Sequence, residues 1–143
     1  MHHSKNMIIQ TTILLIDDSE DDLLLTTMAL KKIDRNIRVE TAMSGEAGLA
    51  FFHEGNTLPS LVLLDLKIPR MDGIEVLLRI RNEASLSTIP VVIVTHSELE
   101  SDKQAAVKAG ANSFLQKATD PDDFKRDLER ILDCWLGKNY SHQ

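Results

Sequence analysis

Short apolar runs of strand length recur along the chain. TILLI (12–16), LVLL (61–64) and PVVIV (90–94) are continuous and rich in leucine or β-branched residues, which predicts strands buried on both faces. SFLQ (113–116) predicts a shorter strand, and IRVETA (37–42), where apolar and polar residues alternate, a half-covered edge strand. Between these runs the apolar period changes to that of a helix. Leu24, Leu25, Met28, Ala29 and Ile33 form one such set, and Ile74, Leu77 and Leu78 another. Phe124, Leu128, Ile131, Leu132 and Trp135 make the clearest stripe. Asp120 predicts its cap, with Pro121 at the first helical position and Asp122 and Asp123 in the first turn, where acids suit the helix dipole. Ser44 predicts a second cap and Gly110 a helix stop.

Strand and helix thus alternate five times. That order predicts an α/β fold, a parallel sheet with helices on both faces joined by right-handed crossovers. No Pro- or Gly-rich linker or internal repeat interrupts the pattern, so residues 1–143 are expected to form a single domain. Its ordered part is expected to run from about 11 to 136, with short flexible termini at 1–10 and 137–143.

Composition narrows the function classes. A hydrophobic fraction of 43% and a charged fraction of 27% are those of a soluble globular domain. The net charge of −6, with Lys and Arg scattered, argues against a nucleic-acid surface. The lone Cys134 excludes an internal disulfide and suits a reducing, cytoplasmic setting; it is expected as a small buried hydrophobe. No apolar run reaches a membrane span, and MHHSKNMIIQ lacks the apolar segment of a secretory signal. His2 and His3 carry no expected metal site.

In parallel sheets of this kind, ligands bind beyond the carboxyl ends of the strands. Asp17 and Asp18 follow the first run, Asp65 the third, Thr95, His96 and Ser97 the fourth, and Lys117 the fifth. Two carboxylates about 5 Å apart repel by roughly 3 kcal/mol at an effective dielectric near 20. A hard cation such as Mg²⁺ removes that cost and prefers a few carboxylates, waters and phosphate oxygens. The three acids are therefore expected to form an incomplete cage for Mg²⁺ and a phosphoryl group, with Lys117 and Thr95 as donors to its oxygens. Glu20, Asp21 and Asp22, just beyond, are expected only to start a helix.

These residues resemble the receiver domains of two-component response regulators. The likeness runs from about Thr11 to Trp135 and rests on LLIDDSEDD, on LLDLKIPRMDG, on Thr95 ending PVVIVTHS, and on Lys117 in SFLQK. Thirty positions separate Asp65 from Thr95, and 22 separate Thr95 from Lys117. The resemblance implies a flavodoxin-like sheet of strand order 2-1-3-4-5. It implies that Asp65 accepts a phosphoryl group from the phosphohistidine of a sensor kinase, and that Asp18, Asp65 and the Lys67 backbone carbonyl ligate Mg²⁺, with Asp17 acting through water. It further implies that Lys117 pairs with the phosphoryl oxygens, and that Thr95 and Phe114 move together as a switch. The helix carrying AAVKA, the Phe114 strand and the last helix would form the output face.

Several features stand apart from the family pattern. Ala118 replaces the usual proline after Lys117, and since a non-proline cis bond costs about 2.5–4 kcal/mol, a trans Lys117–Ala118 bond is expected. His96 brings a bulky ring to a position that is usually small; it is expected either to restrict water at the phosphoryl group or to face solvent. Lys67 and Ser97 are expected to tune the lifetime of the phosphorylated state. KATDPDDF…CWLG resembles small stand-alone receivers that partner phytochrome-type kinases, some of which dimerise through the output face, and the stripe ending at Trp135 and Leu136 suits that. With little chain after Trp135, the signal is expected to pass to a downstream protein, a second copy or a phosphotransfer partner.

Three rivals carry different expectations. A haloacid-dehalogenase-type phosphohydrolase needs Asp-x-Asp, and Lys67 stands where its general acid would be. A nucleotide- or flavin-binding module would show GxGxxG or a P-loop, and neither occurs. A pseudo-receiver scaffold that takes no phosphate would not need the intact acid triad.

Overall fold

A computed structural model describes residues 10–142. His2, His3 and most of the expected N-terminal tail lie outside the described residues. Five strands, β1 (Thr12–Ile16), β2 (Arg38–Ala42), β3 (Leu61–Leu64), β4 (Val91–Thr95) and β5 (Ser113–Gln116), form one parallel sheet in the order β2-β1-β3-β4-β5. Helices α1 (Glu20–Ile33), α2 (Gly45–Phe51), α3 (Gly73–Asn82), α4 (Glu100–Lys108) and α5 (Pro121–Leu136) connect and follow them. The sheet order and both helical layers agree with expectation.

The apolar runs are continuous because each central strand is covered twice. Ile13 and Leu15, Leu61 and Leu63, and Val92 and Val94 point to the side of α1 and α5, where they meet Leu23, Leu30, Phe124, Leu128 and Leu132. Leu14 and Ile16, Val62 and Leu64, and Val91 and Ile93 point the other way, toward Val76, Leu77, Ile80 and Ala106. The β2 edge strand is mostly half-covered or exposed, as its alternation predicts. Pro90 lies outside β4, whose ladder starts at Val91 and extends to Thr95.

Caps fall where the residues ask for them. Ser44 Oγ accepts from the Ala47 N–H, and Asp120 accepts from the N–H groups of Asp122 and Asp123. Gly110, with φ of 105°, ends α4 in a conformation that favours glycine. The Lys117–Ala118 bond is trans, and no peptide bond among the described residues is cis.

Four expectations need correction. In α1 the buried residues are Leu23, Thr26, Ala29 and Leu30, while Leu24, Leu25 and Met28 are exposed. Three consecutive leucines offer two helical faces of equal apolarity, and the sheet selected the one through Leu23. Likewise α3 buries Val76, Leu77 and Ile80 and leaves Leu78 outside. Cys134 is exposed, because α5 turns Leu128 and Leu132 inward and Cys134 lies off that stripe. The C-terminal segment is also held rather than loose. Tyr140 begins a single 3-10 turn, its hydroxyl donates to Asp34 at 2.7 Å, and its N–H donates to Asp133 at 2.6 Å.

Candidate functional site

The sheet ladder itself aligns the site. Ile16 pairs with Leu64, Leu64 with Ile93, and Thr95 with Gln116. The pairing continues past the strand ends: Asp17 N–H donates to Ala42, Asp65 N–H to Ile16, and Lys117 N–H to Thr95. Asp17, Asp65, Thr95 and Lys117 therefore occupy one level along the carboxyl edge of the sheet. All four are buried, with 7%, 7%, 1% and 9% of their surfaces exposed, which sets them apart from the other charged side chains around them.

At that level the Lys117 ammonium donates to Asp17 at 2.7 Å, to Asp22 at 2.8 Å and to Asp65 at 3.2 Å. Asp17 also accepts from the Ser19 N–H at 3.0 Å, and Asp65 from the Lys67 N–H at 3.3 Å. Burial pushes the Asp17 carboxyl above its ordinary range despite the hydrogen bonds from Lys117 and Ser19, and the Asp65 charge adds to the push. Burial alone would lower the Lys117 pKa, but its hydrogen bonds to Asp17 and Asp22 and the charge of Asp65 raise it, so Lys117 stays an ammonium.

Asp22 is the residue that sequence reasoning assigned to the wrong task. Ser19, not Asp22, supplies the helix cap, accepting from the Asp22 N–H at 3.1 Å. The Asp22 carboxylate instead faces the sheet edge, binding Lys117 and standing 3.0 Å from His96 Nε2. Burial would raise its pKa, but the hydrogen bond and charge of Lys117, followed by His96, hold it below the usual carboxylate range. The available signal is that helical side chains lean toward the helix N-terminus, so a first-turn acid overhangs the preceding strand end. Glu20 and Asp21 remain first-turn acids, as expected.

Carboxylate oxygens of Asp17, Asp22 and Asp65 lie within 4.8 Å of one another, a hard oxygen donor set that fits a divalent cation such as Mg²⁺. Asp18 is exposed and lines an open cleft with Lys67, Asp72 and Asp102. Thr95 Oγ1 accepts from the Ser97 N–H at 3.3 Å. Phe114 is half-buried against the α3 side of the core. The Lys67 ammonium and the Ser97 hydroxyl both bind Asp102 of α4, a second residue that sequence reasoning passed over.

Residues 13–129 match the family model of the response regulator receiver domain. The chain belongs to that family. Receivers are phosphoacceptor signalling domains of two-component systems, and this receiver has their sheet order and their pattern of acids at the strand ends. It is 39% identical over 121 residues to a probable methanogenesis regulatory protein, FilR2, of Methanothrix harundinacea, covering 82% of this chain and 78% of that one. It is 36% identical over 97 residues to the response regulator Rcp1 of a Synechocystis strain, covering 64% and 66%.

Among solved structures, this receiver resembles the phosphorylated cyanobacterial phytochrome response regulator RcpA, with a TM-score of 0.82 and 28% identity over 89% of this chain and 94% of that one. The Mn²⁺-bound form of Rcp1 gives a TM-score of 0.80 and 33% identity over 90% and 96%. The receiver thus resembles small receivers associated with phytochromes. No described helix is long and apolar enough to cross a membrane.

Proposed function

We propose that this receiver takes a phosphoryl group onto Asp65 from the phosphohistidine of a cytoplasmic sensor kinase, in a Mg²⁺-dependent reaction, and signals through altered protein contacts. The observation that carries the reading is the convergence of Lys117 on the buried carboxylates of Asp17 and Asp65 at the sheet edge. An Asp65 oxygen attacks phosphorus as the P–N bond breaks, and the electron pair stays on the imidazole nitrogen, which then takes a proton. The Lys67 N–H steadies the Asp65 carboxylate, and Lys117 shifts its hydrogen bonding toward the incoming phosphoryl oxygens. Asp17, Asp18, Asp65 and the Lys67 carbonyl would hold Mg²⁺, with the Asp22 carboxylate close by, and the bound ion would neutralise charge between acceptor and donor. Lys67 supplies no general acid, which disfavours a phosphohydrolase.

The switch follows from where Thr95 now bonds. Its hydroxyl accepts from Ser97 and is free to donate to a phosphoryl oxygen on Asp65, while half-buried Phe114 fills the space it leaves. The face made by α4, β5 and α5 would carry the output, to a downstream protein, a phosphotransfer partner or a second copy. The likeness to RcpA supports a phytochrome-type kinase as donor. Residues 11–136 would form the receiver unit.

The test is incubation of wild type and Asp65→Asn with a small acyl phosphate, with and without Mg²⁺, followed by intact mass. A Mg²⁺-dependent gain of one phosphoryl group in the wild type alone is expected. Equal labelling of Asp65→Asn, or sustained turnover of phosphate esters, would overturn the reading.

A further inference from the structure

Two loops cross the rim of the candidate acceptor site, and a single side chain of α4 holds both. From the β3–α3 loop, the Lys67 ammonium lies 3.3 Å from Asp102 Oδ1 and 3.2 Å from Oδ2. From the β4–α4 loop, the Ser97 hydroxyl donates to Asp102 Oδ2. The same Ser97 oxygen accepts from the Leu99 N–H at 3.2 Å, just before the first turn of α4, which has no side-chain cap of its own. Asp102 has 18% of its side chain exposed, and the hydrogen bond from Ser97, then burial working against it, then Lys67, leave its carboxyl below the ordinary range.

What these two residues do with their backbones gives the arrangement its meaning. The Lys67 N–H holds Asp65 Oδ1, and the Ser97 N–H holds Thr95 Oγ1. Asp102 is thus one residue removed from the acceptor carboxylate on one side and from the switch hydroxyl on the other. An isolated exposed Lys–Asp pair contributes little, but a carboxylate shared by an ammonium and a hydroxyl from separate loops is a network, and it restrains both loops at once.

We propose that Asp102 is the positioning residue that clasps Lys67 and Ser97 together, so that the posture of Asp65 and Thr95 is set by the first turn of α4. While the clasp is closed, the Lys67 and Ser97 N–H groups keep the Asp65 carboxylate and the Thr95 hydroxyl from shifting, and a phosphoryl group on Asp65 is held in place and lost more slowly. A change in the Asp65 carboxylate or the Thr95 hydroxyl is passed through the two N–H groups to Asp102, and so to α4. The inference rests on Asp65 being the phosphoacceptor and adds to that reading the residue that connects it to the output helix.

The experiment is a double-mutant cycle on the decay of phosphorylated protein. Asp102→Asn and Lys67→Ala are each expected to shorten the half-life about three- to tenfold, and the double variant to decay no faster than the quicker single one. Asp102→Glu, which keeps the charge, is expected to restore most of the lifetime. Unchanged or lengthened half-lives, or multiplicative effects in the double variant, would overturn the clasp. In the unphosphorylated protein, Asp102→Asn is also expected to speed amide hydrogen exchange both at 66–68 and at 100–103. Faster exchange in α4 alone would mean only a weakened helix start and would overturn the proposal. A wild type that takes up no phosphoryl group overturns the acceptor reading on which the clasp rests, and the exchange arm tells that failure apart from a clasp that does not form.

Discussion

The His96 ring nitrogen Nε2 stands 3.0 Å from Asp22 Oδ2, and that same oxygen accepts from Lys117 at 2.8 Å. The residue after Thr95 is thereby joined to the first turn of α1 across the rim of the acid cluster, although 65% of its side chain is exposed. Most of the His96 ring faces solvent, and its Nε2 bridges the β4–α4 loop to the first turn of α1.

Removing that bridge should open the rim. His96→Ala is expected to shorten the lifetime of phosphorylated Asp65 about threefold or more, measured as loss of the phosphoryl group in the presence of Mg²⁺. An unchanged decay rate would leave His96 without an access role.

Lys117 binds three carboxylates from a position with only 6% of its side chain exposed. Lys117→Ala leaves Asp17 and Asp65 buried without a cation, and a loss of about 2–4 kcal/mol is expected near neutral pH by denaturant titration in chelator. Added Mg²⁺ should raise the melting temperature of the variant more than that of the wild type, because the ion then compensates charges that Lys117 covers in the wild type.

The Tyr140–Asp34 contact should show itself at both ends of the pH range. Burial, then the hydrogen bond to Asp34, pushes the Tyr140 hydroxyl up from its ordinary 10.0 to about 12, and the hydrogen bond from Tyr140 leads in holding the Asp34 carboxyl below 3.8. A raised phenol binds its proton more tightly when folded, so its stabilisation is full below 10.0 and is lost as pH climbs toward about 12. The depressed carboxyl contributes above 3.8 and loses its contribution as pH falls through its folded value. Tyr140→Phe should cost about 1 kcal/mol between those limits and flatten both edges of the stability profile, as read by thermal melts across pH.

Gly73 begins α3 where a Cβ would stand 2.4 Å from the Asp65 carbonyl oxygen and 2.7 Å from Leu66 Cα. Both neighbours are backbone, so relief requires moving the segment that carries Asp65. Gly73→Ala is expected to destabilise the fold by about 1–3 kcal/mol and to slow phosphoryl uptake, seen by melting and by the acyl phosphate assay.

The apolar runs by themselves determined the parallel sheet, because a strand buried on both faces needs no tertiary information to look continuous. Strand ends then pointed to Asp17, Asp65, Thr95 and Lys117, since ladder register places the residue after each buried run at one edge. The spacing of these residues carried the family resemblance, which in turn implied the strand order. Local punctuation was equally legible at Ser44, Gly110 and Asp120, where one residue's own geometry decides the outcome.

What the sequence left open were choices between equivalent faces. LLLTTM in α1 is apolar on two sides, and only contact with the sheet chose Leu23 and Leu30 over Leu24, Leu25 and Met28. Glu20, Asp21 and Asp22 are three carboxylates in one helical turn, and only the helix phase against β1 brought Asp22 to Lys117 and His96. Asp102 lies 35 positions from Lys67 and 5 from Ser97, so nothing along the chain relates the three. Their meeting depends on how α4, packed beside β5 with Ala106 in the core, lies against the loops after β3 and β4, a long-range arrangement rather than any local pattern.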